Sequence, residues 1–192
     1  MNIIRVPDQV MIEGEEGLVG YCEAKGETWT FNDVAVTTSP GQGRLTVDVE
    51  APKTALRRVR LRWHLDVPID AHFLGDAWER GYGEFEWRGM VPERVMPWYF
   101  LLSDSSGTHG FGVKTGPAAM CFWQADSAGV SLWLDLRNGD TGVMLGERVL
   151  RAAEVVCREG RGDESAFVAA REFCKMLCDS PRIPTHAVYG SN

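Results

Sequence analysis

Carboxylates, aromatic rings and guanidinium groups are most densely mixed between Phe73 and Trp98, in the run FLGDAWERGYGEFEWRGMVPERVMPW. Asp76, Glu79, Glu84 and Glu86 supply the carboxylates, Trp78, Tyr82, Trp87 and Trp98 the rings, and Arg80, Arg88 and Arg94 the cations. Sugar recognition uses this vocabulary: a ring face stacks on the apolar patch of a pyranose, while carboxylates and guanidinium groups hold its hydroxyls. The same composition also suits an internal salt-bridged network or a surface pressed on a neighbouring domain. Glu84 and Glu86 alternate with Phe85 and Trp87 and so would share one face of a strand. Residues two apart on a strand reach the lower end of the roughly 5 to 9 Å that separates a glycosidase acid from its partner. Nothing in the sequence poses one of them as acid and the other as base.

A second stretch, Phe122 to Gly139 (FWQADSAGVSLWLDLRNG), alternates Leu132, Leu134 and Leu136 with Trp133, Asp135 and Arg137. If the leucines face a core, the other three share the opposite face, where Asp135 and Arg137 form a surface pair. LRRVRLR, from Leu56 to Arg62, places Arg58, Arg60 and Arg62 on the outer face of a half-buried strand, a solvated or salt-bridged sheet face rather than a track for nucleic acid. His64, His72, His109 and His186 are scattered, although His64 and His72 could approach across a turn. Cys22, Cys121, Cys157, Cys174 and Cys178 have wide spacing without histidine company and read as reduced thiols, so neither a metal nor a cofactor is expected. The glycine-rich patches lack phosphate-loop spacing, and no GxSxG elbow is present.

The elements that must position these residues are mostly short strands. Val19–Glu23, Trp29–Thr37, Arg44–Val49, Leu56–Leu65, Gly83–Trp87, Trp98–Leu102, Gly110–Lys114, Ala119–Ala125, Val130–Leu136 and Glu147–Cys157 carry the apolar or alternating patterns. SPGQG and Asn138-Gly139 mark turns. So many short strands, with almost no helix before about residue 160, favour a large antiparallel sandwich. Asp163 or Ser165 then caps a helix running to about Cys178, with Phe167, Ala170, Cys174, Leu177 and Cys178 on its apolar face. Pro181 and Pro184 end it and force an extended path into Ala187, Val188 and Tyr189.

Length and charge narrow the function classes. A chain of 192 residues with 44% hydrophobic residues supports one good core. Net charge is -7, with no gathering of Lys and Arg that could follow a phosphate backbone, so nucleic acid is not an expected partner. No stretch approaches membrane-span length, and the acidic N-terminal region does not read as a signal peptide, which together predict a cytoplasmic protein without a membrane partner.

LGDAWERGYGEFEWRG (Leu74 to Gly89), MPWYF (Met96 to Phe100), GFGVKTG, CFWQ, LWLDLRNG and VYGSN (Val188 to Asn192), in this order, resemble the N-terminal region of bacterial alpha-galactosidase-like, or melibiase-like, glycoside hydrolases. The resemblance extends from about Leu56 onward. It implies an all-β fold, a large antiparallel β-sandwich of the galactose-mutarotase-like supersandwich kind followed by a C-terminal linker helix. It divides the chain into a sandwich at 1–160 and, at 161–192, the helix and the start of a (β/α)8 catalytic barrel. Tyr189 and Asn192 would open the first barrel strand, near the end where barrel sites form. The family's two catalytic aspartates come from later strands, so no residue here inherits a catalytic role, and this chain alone is expected to be inactive. What carries over is auxiliary: Asp76, Trp78, Glu79 and Arg80 as contacts at the rim of a sugar pocket, with carbohydrate and the barrel in cis as partners. Three other possibilities stand beside this one. They are a free-standing carbohydrate-binding module on Trp78, Trp87 or Trp133, a homo-oligomerisation domain joined through the helix, and a mutarotase-like enzyme drawing on His64, His109 and Glu86.

Overall fold

The structure is a computed structural model that describes residues 1–79, 81, 83, 85–182, 185 and 186. In chain order the strands are β1 (Gln9–Gly14), β2 (Val19–Tyr21), β3 (Glu23–Lys25), β4 (Thr28–Phe31), β5 (Val34–Gly41), β6 (Arg44–Glu50) and β7 (Leu56–His64). They continue as β8 (His72–Gly75), β9 (Met96–Pro97), β10 (Tyr99–Asp104), β11 (Gly107–Val113), β12 (Met120–Asp126), β13 (Gly129–Asp135) and β14 (Leu150–Arg158), followed by helix α1 (Ala166–Cys174). Two antiparallel sheets pack face to face as an all-β sandwich. One has six strands in the order β2-β1-β7-β13-β12-β9, and the other has eight in the order β3-β4-β5-β6-β14-β11-β10-β8.

Alternation builds both sheets. In β7, Val59, Leu61 and Trp63 are fully buried while Arg58, Arg60 and Arg62 point the other way, and Leu132 and Leu134 of β13 lie beside them. The core is closed by aromatic residues from both sheets: Trp63 lies 6.2 Å from Trp123, and Phe100 reaches Trp123 at 5.7 Å while stacking on Phe111 at 4.8 Å. Burying each such side chain stabilises the fold by about 1.5–3 kcal/mol.

Trp98 carries the chain from one sheet to the other, between β9 and β10. Its φ of 64° is left-handed, a conformation that costs a bulky residue about 1–3 kcal/mol and persists only when its surroundings hold it. Here they do. The Trp98 N–H donates to the Cys121 carbonyl (3.0 Å), and its own carbonyl accepts from Val113 N–H (3.0 Å) and Trp123 Nε1 (3.2 Å).

Helix α1 begins where the Ser165 hydroxyl accepts a hydrogen bond from the Val168 N–H. It ends at Cys174, short of Cys178, and its buried side chains are Ala169 and Phe173 rather than the expected stripe; Phe167 is 73% exposed, and Cys174 is exposed too. The reason lies in β11. Gly110 leaves the strand bare, and the Phe173 ring occupies the space that a Cβ there would need, against Leu101 and Val156. The Phe173 ring in this glycine gap, with Ala170 and Leu177 packed beside it, holds the helix on the eight-stranded sheet.

Other differences are local. Trp29–Thr37 is two strands, because Asn32 takes a left-handed φ of 52° and turns the chain. The segment 83–87 forms no strand among its described residues; a single bridge, Phe73 to Arg88, is its link to a sheet. The turn at Asn138 has Gly139 and Asp140 as its left-handed residues, closed by the bridge between Asn138 and Thr141.

Candidate functional site

The outer face of the six-stranded sheet gathers the side chains most capable of binding chemistry. Cross-strand register puts Tyr21, Met11, Arg60, Trp133, Phe122 and Pro97 directly opposite one another, strand to strand, in one row across the sheet. Trp133 and Phe122 are stacked, with centroids 5.9 Å apart and planes 10° from parallel. The Arg60 guanidinium lies over the Trp133 ring, 5.5 Å from its centroid. Trp78 comes in from the segment after β8 and stands edge-on to both Phe122 (6.5 Å) and Trp98 (5.2 Å). The strained Trp98 therefore helps to hold Trp78 above the sheet.

Charged side chains flank this row. Asp135 receives Arg58 Nε at 3.1 Å and Arg137 at 2.7 Å, and Arg58 also reaches Glu13 at 3.3 Å. Arg62 donates to Asp126 at 2.6 Å and to the Ser131 hydroxyl at 3.2 Å. Partial burial pushes the Asp135 carboxyl upward, but the hydrogen bonds from Arg137 and Arg58 outweigh it and hold the group below the usual range. Asp126 is lowered in the same way, burial being overcome by Arg62 and the Ala128 N–H. Both aspartates are thus anions near neutral pH, suited to accept hydrogen bonds from hydroxyls and unsuited to deliver a proton. Arg60 differs from its neighbours: it donates to the Gln9 side chain at 2.9 Å and pairs with no carboxylate among the described residues. Gln124 accepts from Trp133 Nε1 at 2.8 Å and fixes the indole.

Two hollows lie along the face. One, of about 540 Å³, is walled by Trp78, Phe122, Met120 and Val95, with Arg58 and Asp135 on its floor. The other, of about 310 Å³, is lined by Arg60, Arg62, Gln124, Asp126, Ser131 and Trp133, together with Gln9, His64 and Pro92. Both volumes fall at the lower end of the roughly 300–1,000 Å³ usual for small-molecule sites.

Of the rim residues expected from sequence, Trp78 stands in the wall of the larger hollow and is 48% exposed. Asp76 is buried, and its Oδ1 accepts from the Ala77 N–H at 2.9 Å; it lines two further recesses of about 360 and 380 Å³. Glu79 is exposed. Arg80, Tyr189 and Asn192 lie outside the described residues, as do Tyr82 and Glu84. Glu86 and Trp87 are exposed farther along the same segment. Trp133, Asp135 and Arg137 take the outer face, as the alternation implied. Gln9, Arg60, Phe122 and Gln124 were not singled out as a group from sequence; only pairing of β1, β7, β13 and β12 brings them together.

The histidines do not converge. His64 ends β7 in one sheet, His72 begins β8 in the other, and both are exposed. His109 is buried in β11, where Nδ1 accepts from the Gly160 N–H (3.2 Å) and Nε2 faces the Ser106 hydroxyl (3.0 Å), clipping a hairpin to the chain after β14. Among the described residues no group of three His, Cys, Asp or Glu side chains is arranged to hold a metal ion, and no helix is long and apolar enough to cross a membrane.

No protein-family model matches the chain, and no curated protein matches it significantly.

Proposed function

We propose that this chain is the non-catalytic β-sandwich of an alpha-galactosidase-like retaining glycoside hydrolase, and that the outer face of its six-stranded sheet is the side that meets sugar. The observation that carries the reading is the aromatic corner of Trp78, Phe122 and Trp133 standing beside the Asp135 carboxylate, which Arg58 and Arg137 keep ionised. Rings of this kind stack on the apolar face of a pyranose, and an anchored carboxylate beside them accepts its hydroxyls. The role is one of binding, because a carboxylate held ionised by two guanidinium groups cannot serve as a general acid. Exposed Trp78, Val95 and Met120 around the larger hollow give this end an apolar rim against which a catalytic barrel would rest.

Titration with galactose, melibiose and raffinose, followed by tryptophan fluorescence, tests it. A saturable response in the millimolar range, worth about 4 kcal/mol, is expected and is lost in Trp78→Ala. Hydrolysis of an aryl galactoside by the pure chain, in proportion to its concentration, contradicts the non-catalytic role.

A free-standing carbohydrate-binding module is the second reading, favoured by both hollows being furnished largely from one sheet. A module binds sugar as tightly in isolation as in the protein purified from its source. An accessory wall of a composite pocket binds more weakly alone.

A further inference from the structure

Three arginines project from β7 onto the outer face, and their circumstances differ. Arg58 is matched by Glu13 and Asp135, and Arg62 by Asp126. Arg60, between them, sits in the row whose flanking positions are Met11 and Trp133, neither of which can neutralise it. Among the described residues its guanidinium donates to the neutral Gln9 side chain, and its buried Nε has no hydrogen-bond partner. A partly buried guanidinium without a counter-ion is unfavourable, and the indole beneath it offsets only part of that cost. The ring also sets the guanidinium at the edge of the smaller hollow, whose walls include the polar Gln9, Gln124 and Ser131 together with Asp126, whose charge Arg62 already neutralises.

We infer that Arg60 is the subsite for the carboxylate of an acidic sugar, a hexuronic acid unit, bound in the hollow between Arg60, Gln124 and Ser131. This rests on the reading that the face binds sugar, and adds to it the class of sugar. A planar carboxylate matches the planar donor edge of a guanidinium, and such charge-assisted contacts are among the strongest hydrogen bonds proteins make. With the Gln124 oxygen taken by Trp133 and the Ser131 oxygen by Arg62, the Gln124 Nε2 and the Ser131 O–H act as donors to the ring hydroxyls. The neighbouring aromatic corner would take the adjoining residue of an oligosaccharide.

The test compares galacturonate with galactose on the intact chain, using the fluorescence of the tryptophan beneath Arg60 and, in parallel, calorimetry. Galacturonate should bind about tenfold or more tightly than galactose. That ratio should fall towards one in Arg60→Gln. In the unmutated protein it should also shrink as salt is raised, a readout independent of any effect of the variant on folding. Equal affinities for the two sugars, or a preference that survives Arg60→Gln, overturn the inference while leaving the sugar reading in place. Binding of galactose 6-phosphate but not galacturonate overturns the carboxylate assignment. No saturable response to any of these sugars overturns both.

Discussion

The Arg60 guanidinium lies 5.5 Å from the centroid of the Trp133 ring, and Phe122 on the neighbouring strand stacks on the same ring at 5.9 Å, so one indole joins the charged and the aromatic halves of the face. Trp133→Leu should therefore disturb both. Loss of the cation–π and ring-stacking contacts is expected to cost about 1–2 kcal/mol of stability in urea denaturation, and sugar-induced spectral change should disappear. A variant of unchanged stability that still responds fully to sugar would show that the indole does not join the two halves.

Asp135 gives the face a defined acid sensitivity. Its carboxyl is held below its ordinary value of 3.8, because Arg137 and Arg58 outweigh the effect of burial. A lowered carboxylate contributes stability that is fully present above the unfolded value and is lost as pH falls through the folded one. Asp135→Asn should cost roughly 1.5–3 kcal/mol near neutrality, the worth of hydrogen bonds to a charged group. The gap between variant and parent should close below a pH of about 4. Denaturation curves at several pH values measure it, and a gap that stays constant on acidification would count against the pairing.

The seat of α1 is a fit between one glycine and one ring. Gly110→Ala pushes a methyl group into the Phe173 ring and should cost about 1–3 kcal/mol, while Phe173→Ala empties the seat and should cost about 3–5 kcal/mol. The double variant should be clearly less damaging than the sum, since the clash vanishes with the ring. Additive losses would place the helix contact elsewhere.

The thiols should separate by reactivity. Burial pushes Cys121 up to about 12 and Cys22 and Cys157 up to about 11, whereas Cys174 is exposed. With a thiol reagent at mildly alkaline pH, Cys174 should be labelled quickly in the native state and Cys121 only after unfolding. Mass spectrometry of the labelled peptides gives the order, and early labelling of Cys121 would contradict its place in the core.

Much of the sandwich was legible from sequence because period-two alternation survives in single strands. Leu56–His64 and Gly129–Asp135 announce their inner and outer faces without reference to any partner. β8 and the two-residue β9 escape the sequence reading because strands this short carry too few alternations, and β1 escapes it because Val10, Met11 and Ile12 are buried in succession and break the period of two. Of the expected helix face Ala170 and Leu177 do pack on the sheet, but Phe173 takes the central place because of a missing side chain on β11, which a periodicity within the helix cannot reveal. The candidate site was half legible. Trp78 stood out by composition, but the singular position of Arg60 depends on which carboxylates the neighbouring strands bring to Arg58 and Arg62. That is a property of register, and LRRVRLR alone presents Arg58, Arg60 and Arg62 as equivalent positions of one face.

The most direct test of sugar binding by the six-stranded face is to follow the indole N–H resonances of all seven tryptophans by NMR while galactose and melibiose are added. The account predicts saturable shifts for Trp78 and Trp133, with Trp63 and Trp123 of the core unmoved. Shifts confined to other tryptophans, or none at concentrations well above the millimolar range, would contradict it.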